Sequence, residues 1–164
     1  MLFHVFRHPP VEKRCDFEVV LFDHNHVAVA ADADFGQAHE LVFDAGLREK
    51  RLHAGNFADV MKHAVLARIL TYLAEKPAPY RVIDTHAGAG VYDLAGPEAA
   101  RTGEWRDGIG RLRAASLDDE TRVLLTPYLD AVASFNTGDK LEKYPGSPAI
   151  ARAMMRSQDR LVAC

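Results

Sequence analysis

Cysteine is scarce in this chain. Its 164 residues hold two, Cys15 and Cys164, too few for a disulfide framework or a zinc knuckle, and suited to the reducing cytoplasm where the protein is expected. No apolar run is long enough to span a bilayer, so no membrane partner is expected. The opening residues lack the apolar core and small-residue cleavage site of a signal peptide, and no C-a-a-X box surrounds Cys164. An excess of one charge is also missing. Twenty Lys and Arg against 23 Asp and Glu leave −3, so any contact with nucleic acid must come from local patches. There is no G-x-S-x-G, which removes support for a serine hydrolase. What remains is the composition of an ordinary globular domain, 48% hydrophobic and 26% charged, long enough to bury a core.

The most informative stretch is Val82-Ile83-Asp84-Thr85-His86-Ala87-Gly88-Ala89-Gly90. An apolar strand ends in an acid, and a tight turn of small residues follows. In open α/β sheets such a turn, at the carboxyl end of a parallel strand, receives nucleotide-like cofactors. Asp93 stands where G-x-G-x-x-G needs its third glycine. With the acid at the strand tip, this points away from NAD and toward S-adenosylmethionine (SAM). An NAD-dependent oxidoreductase would also need an acid about twenty residues past the turn, at a second strand tip; arginine-rich sequence, Arg101 to Arg113, fills that region. The plain alternative is a turn that holds no ligand.

Around this turn the pattern reads as alternating elements. Phe17 to Phe22 and His26 to Ala30 suggest a hairpin about Asp23-His24-Asn25, and Gln37 to Ala45 a short helix. Asp23, His24 and His26 resemble metal ligands, but no further ligand follows at a recognisable spacing, so they read as a solvated turn and no metal is expected. Asn56 is a good N-cap, with Asp59 three residues on. Phe57, Val60, Met61, Ala64, Val65, Ile69 and Leu73 predict one apolar helical stripe, ended by Pro77. One turn separates Asp59 from His63, so the two can pair on the helix surface. Tyr80 to Asp84 predicts a buried parallel strand. Helices are expected up to Ala115 and from Asp118 to Leu125, with a restart at Thr126-Pro127 and a stop at Asn136-Thr137-Gly138. Ser147 can cap a further helix carrying Ile150, Ala151, Met154 and Met155, with Arg152 and Arg156 near its end. Leu161-Val162-Ala163 begins a strand. The roughly seventy residues between the two strands read mostly as helix, so a helical insertion in the first crossover is expected.

Four stretches, in order and in spacing, are similar to the RlmJ family of bacterial 23S ribosomal RNA adenine-N6 methyltransferases. They are His53-Ala54-Gly55-Asn56-Phe57-Ala58-Asp59-Val60-Met61-Lys62-His63, Asp84-Thr85-His86-Ala87-Gly88-Ala89-Gly90-Val91-Tyr92, Arg101-Thr102-Gly103-Glu104-Trp105 and Tyr144-Pro145-Gly146-Ser147-Pro148. The resemblance covers about 52–164. It implies an α/β chain with a class I, Rossmann-like SAM-dependent methyltransferase fold and a helical insertion subdomain after the first strand. It implies SAM as methyl donor and 23S rRNA as partner, met as protein-free RNA during ribosome assembly, by a protein that is monomeric when full-length. His63 and His86 resemble the family's two SAM-contacting histidines, and Ser147 its SAM-contacting serine. Asp84, Ala87, Gly88 and Gly90 belong to the cofactor turn, whose backbone N–H groups approach the donor. Lys50, Arg51 and Lys62, with Arg68, and Arg101, Arg106, Arg111 and Arg113 in the insertion, are candidate phosphate contacts or ordinary solvated faces.

The departures define the expected layout. Residues 1–46 have no family counterpart, and a start assigned too early or a frame shift upstream of Leu52 is the expectation. Residues 47–93 would carry the first helix and strand, 94–143 the insertion, and 144–164 the return, truncated in its second strand. The family's ribose-binding acid and Asp-Pro-Pro-Tyr motif do not occur; the only Pro-Pro is Pro9-Pro10. No catalytic residue is therefore assigned within this chain, which resembles an amino-terminal portion inactive alone. The other reading is a non-catalytic half-domain that binds SAM or RNA beside a partner.

Overall fold

A computed structural model of the chain describes residues 2–7, 17–22 and 51–164. Two strands, β1 (Leu2–Arg7) and β2 (Phe17–Phe22), precede a long helix, α1 (Phe57–Ala74). Then come β3 (Tyr80–Asp84), β4 (Val91–Asp93), α2 (Pro97–Thr102), a 3-10 turn at Glu104–Arg106, α3 (Ile109–Ala114) and α4 (Asp119–Ala133). The chain returns through β5 (Lys143–Pro145), α5 (Ser147–Met154) and β6 (Arg160–Ala163).

The main sheet has the order β1-β2-β3-β6. β1 runs antiparallel to β2, while β2, β3 and β6 are mutually parallel, with Leu21 opposite Asp84 and Asp84 opposite Ala163. The antiparallel partner of Phe17–Phe22 is Leu2–Arg7; the hairpin arm expected at 26–30 lies outside the described residues, as do Asp23, His24, His26, the expected 37–45 helix and Lys50. A second, two-stranded sheet pairs β4 with β5, Tyr92 opposite Tyr144. Sequence patterning did not anticipate this clasp, because three-residue strands carry too little periodicity to read. α5 lies against β3 and β6, and α1 packs against α4 and α5.

α1 begins as expected: the Asn56 side chain accepts from the Asp59 N–H at 3.0 Å, and Asp59 accepts from the Gly55 N–H at 3.1 Å. Its buried face, however, is Val60, His63, Leu66, Ala67, Leu70 and Leu73. Phe57, Met61 and Val65, expected in the core stripe, are 70%, 52% and 44% exposed. The helix is apolar nearly all round, so spacing alone did not decide which side faces inward. α4 is continuous through Thr126 and Pro127, where a restart was expected. Asp118 caps it by accepting from the Thr121 N–H at 2.9 Å, and the Thr126 hydroxyl donates to the Arg122 carbonyl at 2.8 Å. Packing of Tyr128, Ala131 and Val132 into the core carries the helix past its proline.

The start of β3 is tied down by Arg156. Its guanidinium donates to the carbonyls of Ala74, Lys76 and Ala78 and to both oxygens of buried Asp159, which also accepts from the Tyr80 N–H at 3.1 Å. This arginine lies beyond the end of α5 and joins the end of α1 to β3 and β6; it is not a dipole-balancing residue within the helix.

Candidate functional site

Period-two alternation along β3 buries Tyr80, Val82 and Asp84 and so carries a carboxylate into the interior at the strand's carboxyl end. Asp84 is fully buried. The Ser147 hydroxyl donates to its Oδ2 at 2.5 Å, and the His86 N–H donates to its Oδ1 at 3.2 Å. Its backbone carbonyl accepts from the Cys164 N–H at 2.9 Å. Among the described residues no cationic side chain pairs with this carboxylate. Ser147 is therefore not the N-cap of α5: that place falls to Gly146, and the serine, on the first turn, spends its hydroxyl on Asp84.

Beyond Asp84 the chain turns through Thr85 and His86, whose side chains share a hydrogen bond at 2.8 Å. Ala87 and Gly88 follow, half-buried. Gly90 has φ +79°, and a Cβ there would meet nothing within 4 Å. The turn is thus open on that side. Its far end is held by the Gly146 N–H, which donates to the Gly90 carbonyl at 2.7 Å. Asp84, His86, Gly90 and Ser147 form one cluster at the carboxyl end of β3.

His63 reaches this cluster through Tyr144, three residues before Ser147. Its Nδ1 and the Tyr144 hydroxyl are 2.8 Å apart, and the Tyr128 hydroxyl lies 3.1 Å from that of Tyr144. His63 is 4% exposed. Burial lowers its pKa to about 4, against the opposing pull of Asp59, so it is neutral. The expected surface pair with Asp59 does not form; Asp59 binds Lys62 Nζ at 3.1 Å instead. Sequence reading gave Tyr128 no role, placed Tyr144 only within a family-like stretch, and took Arg156 for a basic residue near a helix end. Tyr128 shares helical spacing with Ala131 and Val132, the only signal of a buried phenol, and nothing in the sequence pairs it with Tyr144.

Two of the sequence motifs meet one another. Glu104 takes His53 Nδ1 at 2.9 Å and the Asn56 amide at 3.1 Å, which hold its carboxyl below the usual carboxylate range. The Thr102 hydroxyl donates to the Leu52 carbonyl at 2.5 Å, and the Ile109 N–H to the Gly55 carbonyl at 3.0 Å. Backbone meets backbone at Gly108, where a Cβ would lie 2.1 Å from the Gly55 oxygen. The His-Ala-Gly-Asn and Arg-Thr-Gly-Glu-Trp segments thus seat the start of α1 on the helices that follow β4. Of the basic candidates, Arg51, Arg68, Arg101, Arg106, Arg111 and Arg113 are exposed.

Residues 77–164 match the family model described as ribosomal RNA large subunit methyltransferase D, RlmJ. The chain belongs to the RlmJ family. It is 47% identical over 109 residues to ribosomal RNA large subunit methyltransferase J of Escherichia coli, and 44% identical over 110 residues to that of Haemophilus influenzae. Each alignment covers 66% of this chain and 38% of the relative. The chain thus spans about two fifths of the length of these RlmJ relatives. A crystal structure of a Legionella pneumophila protein superposes with a TM-score of 0.58 at 40% identity, over 66% of this chain and 39% of the other. The mixed α/β architecture agrees with this kinship. Among the described residues no helix is long and apolar enough to cross a membrane, and no group of three or more His, Cys, Asp or Glu is placed to hold a metal ion.

Proposed function

We propose that this chain is the donor-binding portion of an enzyme that methylates N6 of an adenine in 23S rRNA, with SAM as donor, on a class I methyltransferase fold. The observation that carries the reading is Asp84: a buried carboxylate at a parallel strand tip, fixed by Ser147 and the His86 N–H, beside an open glycine turn, with no cation of the described residues paired to it. A buried carboxyl group with no counter-charge among the described residues favours a cationic ligand group, and SAM has both an ammonium and a sulfonium. When bound, SAM supplies an activated methyl group. Asp84, Ser147, His86, His63 and the turn from Ala87 to Gly90 would hold it. Their part is binding and orientation, since exocyclic adenine nitrogen is a weak nucleophile whose reaction depends on alignment. The target base must leave its stack to reach such a pocket.

Phosphate contacts fall first to Arg51 and Arg68, which are exposed, because Lys62 already pairs with Asp59. Residues 94–143 act as an insertion between the donor-binding parts. The longer protein is monomeric and cytoplasmic and meets deproteinised RNA. The Asp-Pro-Pro-Tyr motif that would carry the acceptor chemistry is absent from residues 1–164, so the chain alone transfers no methyl group.

The test is transfer of labelled methyl from SAM to deproteinised 23S RNA. A polypeptide extended with the family's Asp-Pro-Pro-Tyr segment is expected to label N6 of adenine, and Asp84→Asn in that protein to lower labelling at least tenfold. Labelling of a different base, or full activity of Asp84→Asn, would overturn the proposal.

A further inference from the structure

We propose that Tyr144 is a positioning residue that fixes His63 as the neutral tautomer protonated on Nε2, so that this histidine meets its ligand as a hydrogen-bond donor. The inference concerns the protein's own protons; only its consequence for binding rests on the SAM reading above.

Three groups lie in a row: the imidazole of His63, the hydroxyl of Tyr144 and the hydroxyl of Tyr128, at 2.8 and 3.1 Å. Both tyrosines are fully buried. Burial raises the pKa of each phenol, so both keep their protons, and the imidazole is neutral. Three proton arrangements satisfy the distances. In the first, Tyr128 donates to Tyr144 and Tyr144 donates to Nδ1. In the second, Nδ1–H donates to Tyr144, Tyr144 donates to Tyr128, and the Tyr128 proton must go elsewhere. In the third, Nδ1–H and Tyr128 both donate to Tyr144, and the Tyr144 proton must go elsewhere. Among the described residues the Tyr128 hydroxyl has no partner but Tyr144, and the Tyr144 hydroxyl none but His63 and Tyr128, so the second and third arrangements each strand a buried O–H at a cost of about 1–3 kcal/mol. Intrinsic chemistry adds to this preference, since an imidazole nitrogen accepts more strongly than a phenol oxygen and a phenol donates well. The protons therefore run toward Nδ1, and the remaining hydrogen sits on Nε2. A donor at Nε2 suits a carboxylate or a hydroxyl oxygen of the ligand and disfavours an ammonium. The ammonium is left to Asp84, so the two ends of an amino acid moiety would be told apart. Tyr144 stands on β5, so a residue outside α1, three places before Ser147, sets the histidine's polarity.

Long-range proton–nitrogen correlation spectra of the 15N-labelled chain test this directly. His63 is expected to show an unprotonated Nδ1 and a protonated Nε2 from neutral pH down to about pH 5. Tyr144→Phe keeps the ring and removes the hydroxyl; the Nδ1–H tautomer is then expected to become populated, and SAM affinity, by calorimetry, to fall about tenfold. Tyr128→Phe is expected to retain the wild-type tautomer, because among the described residues Tyr144 then has no acceptor except Nδ1. A merely structural role would not separate these variants. An Nδ1–H tautomer in the wild type, an unchanged tautomer in Tyr144→Phe, or a switched one in Tyr128→Phe would each overturn the inference. Absence of SAM binding by a chain with the expected tautomer would instead sink the donor-site reading alone.

Discussion

At the scale of single residues, burial decides what a side chain can do. His63 has an ordinary pKa of 6.5 when unfolded and about 4 when folded. The folded state resists the proton, so stability is complete above the unfolded value and declines as pH falls from 6.5 toward 4. Each tenfold in proton affinity is worth about 1.4 kcal/mol, so roughly 3 kcal/mol should be lost across that window. Urea midpoints of the wild type and His63→Gln against pH check it: the difference in slope between them should sit in that window. Gly108 makes a different demand. A methyl group there would press on the Gly55 oxygen and on the Asn56 backbone, 2.5 Å from its carbonyl carbon. Gly108→Ala should cost about 3 kcal/mol or more, read as a lowered urea midpoint, and an unchanged midpoint would refute the close approach. The sequence located Asp84 at the strand tip and the turn after it because an acid after two β-branched residues, followed by small ones, marks the end of a buried strand. It singled out His63 by family likeness only, since helical spacing gave it a surface partner in Asp59. Ser147 was legible as a helix-start residue, but a hydroxyl at such a place has two possible customers, and only the fold shows that Asp84 takes it.

At the scale of elements, the boundaries followed local chemistry and the faces did not. Asn56 and Asp118 start their helices as their side chains dictate. α1 was legible as a helix, yet its inward side was not, because Phe57, Met61 and Val65 are as apolar as Leu66 and Leu70, and tertiary packing alone tells them apart. Pro127 was read as a start because a proline at a first helical position costs nothing; here it sits inside α4, where the Val123 carbonyl gains no N–H from it. Pro127→Ala should stabilise the chain by about 1 kcal/mol, seen as a higher urea midpoint. Arg156 shows the opposite sensitivity. Its removal would release the three carbonyls near the end of α1 and leave buried Asp159 without its counter-charge. Arg156→Ala is expected to cost about 3–5 kcal/mol, and Arg156→Lys to recover only part of it, since an ammonium cannot match the planar fork.

At the scale of the whole molecule, the exposed Phe57, Met61, Val65 and Tyr72 on α1 and Val162 on β6 leave more apolar surface than a solitary globule favours. The isolated chain is expected to self-associate with rising concentration in sedimentation velocity, and Met61→Lys with Val65→Lys to suppress this without lowering the urea midpoint. The class of the fold was legible because strands and helices alternate along the chain. The joining of β1 and β2 to the parallel strands was not, because pairing between distant segments leaves no local trace. Nor was the clasp of β4 against β5, whose pairing places Val91 beside Pro145. That clasp gives the excursion between its arms a common doorway: the chain leaves the Asp84 neighbourhood and re-enters it at one spot. An excursion so hinged can be exchanged, lengthened or trimmed without pulling Asp84 and Ser147 apart, provided that any graft brings a small residue to lie under Gly55.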